Sequence, residues 1–117
     1  MMRFLSNTAI TFVAIEHVAI LVLEMFLWTK PTGRRVFGLT AELAESTKVL
    51  AANQGLYNGF LAAGLIWSLF AGFQTKVFFL VCVIVAGIFG AITAKRTILW
   101  SQGGPAAIAL LLVFAAR

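Results

Sequence analysis

A chain of 117 residues that is 62% hydrophobic and only 11% charged does not have the makings of a soluble surface, for which about 45–50% apolar and about 25% charged residues are usual; a core this small would leave apolar patches that no soluble monomer tolerates. The net charge of +5 falls between apolar runs, without aromatic-basic interleaving on a polar face, which excludes nucleic acid in favour of membrane orientation and contact with anionic lipid. Cys82, the single cysteine, lies inside an apolar run, so an internal disulfide and a multi-cysteine metal site are excluded as well.

The composition predicts an all-α integral membrane protein: a four-helix bundle forming one transmembrane domain over residues 1–117. A hydrocarbon core of about 30 Å needs about 20 helical residues, and the first candidate span is 8–28. Arg3 ahead of the apolar stretch 9–15 imitates a secretory signal, but no A-x-A-like site follows and the stretch continues through Glu16 and His17 to Trp28. It therefore reads as a retained span.

Residues 29–48 come next. Thr29 to Arg35 form a basic turn region, and Leu39, Leu43 and Leu50 then recur at helical spacing opposite Glu42, Glu45 and Lys48. This pattern predicts a short amphipathic interfacial helix between the first and second spans, capped by Thr40, that bends into the second span. The second span covers 49–72, a tight turn is expected at Phe73-Gln74-Thr75-Lys76, and the third span covers 77–94. The fourth, 98–116, encloses Gly103-Gly104-Pro105; because proline removes a helical hydrogen bond, this helix should be kinked or half-broken.

Lys30, Arg34, Arg35, Lys48, Lys95 and Arg96 fall in the two odd loops, against Arg3, Lys76 and Arg117 on the other side. Six against three places the odd loops in the cytoplasm and both termini outside, in a multi-pass protein of the cell membrane, the inner membrane in a bacterium. Trp28, Trp67 and Trp100 then serve as interfacial anchors.

Charged residues within a span cost roughly 2.5–3.5 kcal/mol each on insertion scales, yet the first span contains Glu16, His17 and Glu24. His17 and Glu24 are seven residues apart and share a face, with Glu16 about 100° round the helix. The second span offers Asn53, Gln54, Tyr57 and Asn58 as partners. Counting inward from Trp28 and Lys48 sets Glu24 level with Asn53 and His17 level with Asn58. The small residues Ala51, Gly55, Gly59 and Ala63, four apart, allow the helices to approach closely; Ala86, Gly90 and Ala94 repeat the spacing in the third span, and such stripes are more often plain packing than a site. Single Asn or Tyr residues also serve more often as interhelical hydrogen-bonding groups. Three ionisable residues clustered on one helix instead make a functional site the default.

With no Asp, one His and no phosphate-cradling glycine motif, a Ser-His-Asp triad, a Walker-type site and a bis-His haem within one chain are excluded. Three ligands from one helix suit a metal poorly, so no metal site is assigned within one chain and no cofactor is identified.

Glu16-His17, Glu24-Met25-Phe26-Leu27-Trp28, Val36-Phe37-Gly38-Leu39 and above all Asn53-Gln54-Gly55-Leu56-Tyr57-Asn58-Gly59-Phe60-Leu61-Ala62-Ala63-Gly64-Leu65 resemble a family of small bacterial and fungal membrane proteins catalogued as domain of unknown function thirteen-oh-four. The resemblance covers nearly the whole chain. It implies a four-span membrane protein and no particular activity. The residues themselves favour a small intramembrane site, Glu16, His17 and Glu24 facing Asn53, Gln54, Tyr57 and Asn58, that binds or transports an ion, a proton or the polar head of a lipophilic molecule such as a quinone or sterol-like compound. The alternatives are an intramembrane acid-base enzyme acting on a lipophilic substrate and a structural or assembly subunit. The expected partners are membrane lipids, a lipophilic small molecule or ion, and further copies of the chain.

Overall fold

A computed structural model describes residues 1–94, 97 and 99–117. The described residues form helices α1 (Met2–Met25), α2 (Pro31–Phe37), α3 (Ala41–Ala71) and α4 (Phe73–Thr93), a π-helical turn at Leu99–Gly103, and helix α5 (Gly104–Ala115). No strand is present among them. Lys95 and Arg96, part of the basic count above, and Ile98, the start of the expected fourth span, lie outside the described residues.

Local chemistry sets the boundaries. Helix α1 closes where the N–H groups of Phe26 and Leu27 both donate to the Val22 carbonyl, at 3.0 and 3.2 Å. The basic stretch expected as a turn is largely helical: Pro31 starts α2, where its missing N–H costs nothing, and Gly38 ends it at φ 65°, the left-handed conformation that glycine accepts freely. Thr40 accepts from the Leu43 N–H at 3.1 Å and so caps the next helix as expected.

That helix differs from the sequence reading. Residues 41–48 do not form a separate amphipathic helix but are the first two turns of α3, which runs unbroken for 31 residues. A change from polar to apolar side chains leaves the backbone hydrogen bonds intact, and no Gly or Pro occurs between residues 41 and 54 to interrupt them. The following turn is also shorter than expected. Gly72 alone, at φ 105° and ψ −173°, reverses the chain, and residues 73–76 already belong to α4. Where a kinked or half-broken helix is expected, the helical backbone continues: the π-helical turn leads through Gly103, at φ −68° and ψ −36°, into Gly104 and Pro105 in the first turn of α5.

The chain divides into two compact units. The first comprises Met1–Ile15 and Leu61–Arg117. Its core draws Ile10 and Val13 from α1, Leu65 from α3, Leu80 and Val83 from α4, and Ala106, Ala109 and Val113 from α5. Lys76 Nζ donates to Asn7 Oδ1 at 2.8 Å, and the Arg117 guanidinium lies 4.3 Å from the Phe73 ring centroid. The second unit, Glu16–Phe60, contains the end of α1, all of α2 and the first part of α3. Here the Trp28 indole donates to Thr47 Oγ1 at 3.0 Å, Thr47 in turn donates to the Leu43 carbonyl at 2.6 Å, and Phe37 packs on Trp28 with ring centroids 4.8 Å apart.

Met2–Met25 and Phe73–Thr93 are each long and apolar enough to cross a membrane, and only 22% and 17% of their apolar windows are buried. A soluble protein's core helix would be mostly covered; these expose Phe4, Phe12, Phe78 and Ile92 instead. Leu99–Ala115 is a shorter apolar segment, and α3 carries four polar residues between positions 53 and 58.

Candidate functional site

Glu24 stands in the last turn of α1, and α3 approaches it at Gly55. A Cβ on Gly55 would fall 2.5 Å from Met25 Cγ and 3.2 Å from both Glu24 Cβ and the Leu21 carbonyl oxygen, so a side chain there would hold the helices apart. One turn on, a Cβ on Gly59 would meet only Leu21 Cδ1, at 2.7 Å. The small-residue stripe read from the sequence is thus used most tightly at Gly55.

This approach lets the Asn58 side-chain amide donate to Glu24 Oε1 at 2.6 Å and to the Gln54 carbonyl at 3.2 Å. The register differs from the depth count. Glu24 lies level with Gly55, two residues deeper along α3 than Asn53, and Asn58 turns to Glu24 rather than to His17. The cause is the end of α1 at Met25: residues 26–28 leave the helical path, so Trp28, although bonded to Thr47, does not measure helical rise back to Glu24.

Beside Glu24 opens a cleft of about 350 Å³. Its polar lining comes from Glu24, Thr29, Lys48 and Asn53, and its apolar lining includes Met25, Trp28 and Val49. Asn53 donates to the Val49 carbonyl of its own helix at 2.9 Å, and Lys48 pairs with Glu45 at the surface, a contact of small energetic value. Glu24 is therefore steadied by Asn58 on one side and faces the cleft on the other. Carboxylate, amide, lysine and indole groups within one apolar-walled cleft can meet both donors and acceptors of a bound polar group while the walls take a hydrocarbon part.

Not all the expected residues gather there. Glu24 with Asn58, and Glu24 with Asn53, are brought together. Gln54 and Tyr57 point outward from α3 and do not line the cleft. His17 is fully buried, two turns before Glu24. Glu16 is half-buried, and its Oε1 has no hydrogen-bond partner among the described residues. Sequence reasoning treated Lys48 and Trp28 only as topology markers, although Lys48 and Ala52, and likewise Val49 and Asn53, are four apart and so share faces of α3. Gly33 was also passed over; a Cβ there would overlap the Leu27 carbonyl, which makes it the point where α2 rests on the end of α1.

Residues 11–114 match the model of a family described as "Protein of unknown function (DUF1304)". The chain is similar to the "Uncharacterized protein YpaA" of Lactococcus lactis subsp. lactis (strain IL1403), with 36% identity over 107 residues that cover 87% of this chain and 90% of the relative. No solved structure matches.

Proposed function

The chain belongs to the family described as Protein of unknown function (DUF1304), and on that premise we propose that it is a multi-pass, four-span protein of the cell membrane that binds a small amphiphilic molecule in the cleft beside Glu24. The observation that carries this reading is the Glu24 carboxylate, held at 2.6 Å by Asn58 and facing a cleft of about 350 Å³ that Lys48 and Asn53 also line. A ligand with a hydrogen-bonding head and an apolar body would place the head between Glu24, Asn53 and Lys48 and the body along Trp28, Met25 and Val49. A carboxyl group set so close to a helix end, beside an indole, suits a site at the interface where hydrocarbon meets water.

Mass spectrometry of detergent-purified protein tests the proposal. Wild-type protein should carry a lipophilic molecule at near-stoichiometric level. Glu24→Leu should lower its occupancy at least about tenfold, equivalent to about 1.4 kcal/mol, with helix content unchanged by circular dichroism. Equal occupancy in the variant would remove Glu24 from binding and overturn the reading.

A further inference from the structure

The hydrogen-bond donors around the cleft beside Glu24 are largely engaged within the chain, whereas its acceptors are open. The Asn58 amide donates to Glu24 Oε1 and to the Gln54 carbonyl, the Trp28 indole N–H to Thr47, and the Asn53 amide to the Val49 carbonyl. Lys48 donates to Glu45, and the side chain is 53% exposed, so its remaining N–H groups are hydrated at the rim. The second carboxylate oxygen of Glu24 and the Asn53 side-chain oxygen accept from no group among the described residues. The Thr29 hydroxyl, also in the lining, can take either part.

Charge points the same way. Lys48 and Glu45 offset each other in an exposed pair, while Glu24, which is only partly exposed, has no cationic partner among the described residues. A carboxylate withdrawn from water beside apolar walls calls for a counter-charge. We infer that the cleft selects a cationic head, so that its ligand is an amphiphilic amine; this rests on the reading of the cleft as a ligand site. A protonated amine carries only donors, which match the open oxygens of Glu24 and Asn53, and its bond to the carboxylate is of the charge-assisted kind. The Trp28 ring in the same wall adds the attraction of an indole for a cation. A hydroxyl head would leave the Glu24 charge unbalanced, and a carboxylate head would set acceptor against acceptor. Met25 and Val49 then take the hydrocarbon part of the amine.

Three compounds of one shape test the charge preference on the full chain, purified in an uncharged detergent: 1-aminoadamantane, 1-adamantanol and 1-adamantanecarboxylate. Tritiated 1-aminoadamantane should bind saturably to the wild-type protein by scintillation proximity, and the alcohol and the carboxylate should displace it at least about tenfold less well than the unlabelled amine. This comparison needs no variant to fold. Glu24→Gln, which keeps the shape and removes the charge, should weaken amine binding at least about tenfold, whereas Lys48→Gln should leave it unchanged or tighten it. Displacement by the alcohol or the carboxylate equal to that by the amine, or a Lys48→Gln loss as large as that of Glu24→Gln, would overturn the inference and leave the cleft as a site for a head of another charge. The absence of saturable amine binding would overturn it too; the occupancy of the co-purified molecule in wild-type protein and Glu24→Leu then shows separately whether the cleft is a ligand site.

Discussion

At the scale of single residues, the hydrogen bond from Asn58 to Glu24 and the glycines beside it make separable contributions. Asn58→Leu removes the donor that steadies Glu24, and interhelical hydrogen bonds within membranes contribute about 0.6 kcal/mol on average and up to about 1.7. Thermal unfolding in detergent should register a loss in that range. The glycines should rank by what an added methyl would meet. At Gly33 the obstacle is the Leu27 backbone carbonyl, which no rotamer change relieves, so Gly33→Ala should cost at least the roughly 1–3 kcal/mol of an overpacked core. At Gly55 the obstacles are a flexible methionine and, farther off, backbone; at Gly59 only the end of Leu21 is in the way. The expected order of destabilisation is therefore Gly33→Ala, then Gly55→Ala, then Gly59→Ala, and the same melts measure it. A larger loss at Gly59 than at Gly55 would contradict the packing described for α1 and α3.

At the scale of elements, the connections decide more than the helices do. Gly72 occupies φ 105° and ψ −173° with no atom near its missing Cβ. Its substitution is therefore penalised by conformation alone, and Gly72→Ala should lose about 1–3 kcal/mol, the usual strain of a backbone region open essentially only to glycine. Gly104 provides the contrast. It begins α5 in helical conformation with free space around it, but it precedes Pro105, whose ring disfavours the helical conformation for a residue with a Cβ; this offsets the helix preference of alanine, so Gly104→Ala should change stability by less than about 1 kcal/mol. Chemical denaturation of the two variants side by side measures both. A comparable loss at Gly104 would mean that the passage from the π-helical turn into α5 needs its glycine as well as Pro105.

At the scale of the whole molecule, the arrangement of basic residues and apolar helices predicts a fixed orientation in the bilayer. Arg35 in α2 and Gln74 at the start of α4 are both exposed, and α3 connects the elements that carry them. Single cysteines at these positions in a Cys82→Ala background should react with a membrane-impermeant maleimide from opposite sides of the membrane, with position 35 on the cytoplasmic side. Labelling of both from one side would show that α3 does not cross, and the four-span topology would fall with it.

Composition and periodicity by themselves determined that the described residues are almost wholly helical, that two of the helices are long and apolar enough to cross a membrane, that the helical geometry changes at Gly103-Gly104-Pro105, and that α1 and α3 meet at small residues with a glutamate and an asparagine between them. These are local properties: a run of apolar side chains, a proline, a glycine every fourth position. The tertiary structure decided which asparagine reaches Glu24, because that depends on where α1 ends, and α1 ends through a pair of hydrogen bonds to the Val22 carbonyl that leave no mark in the hydropathy pattern. It likewise decided that residues 41–48 continue into α3, since backbone hydrogen bonding is indifferent to the polarity change that suggested a boundary. Lys48 and Trp28 became cleft residues, and Gln54 and Tyr57 outward-facing ones, for the same reason: the rotation of α3 about its own axis is fixed by the close approach at Gly55, and only packing between helices sets that angle.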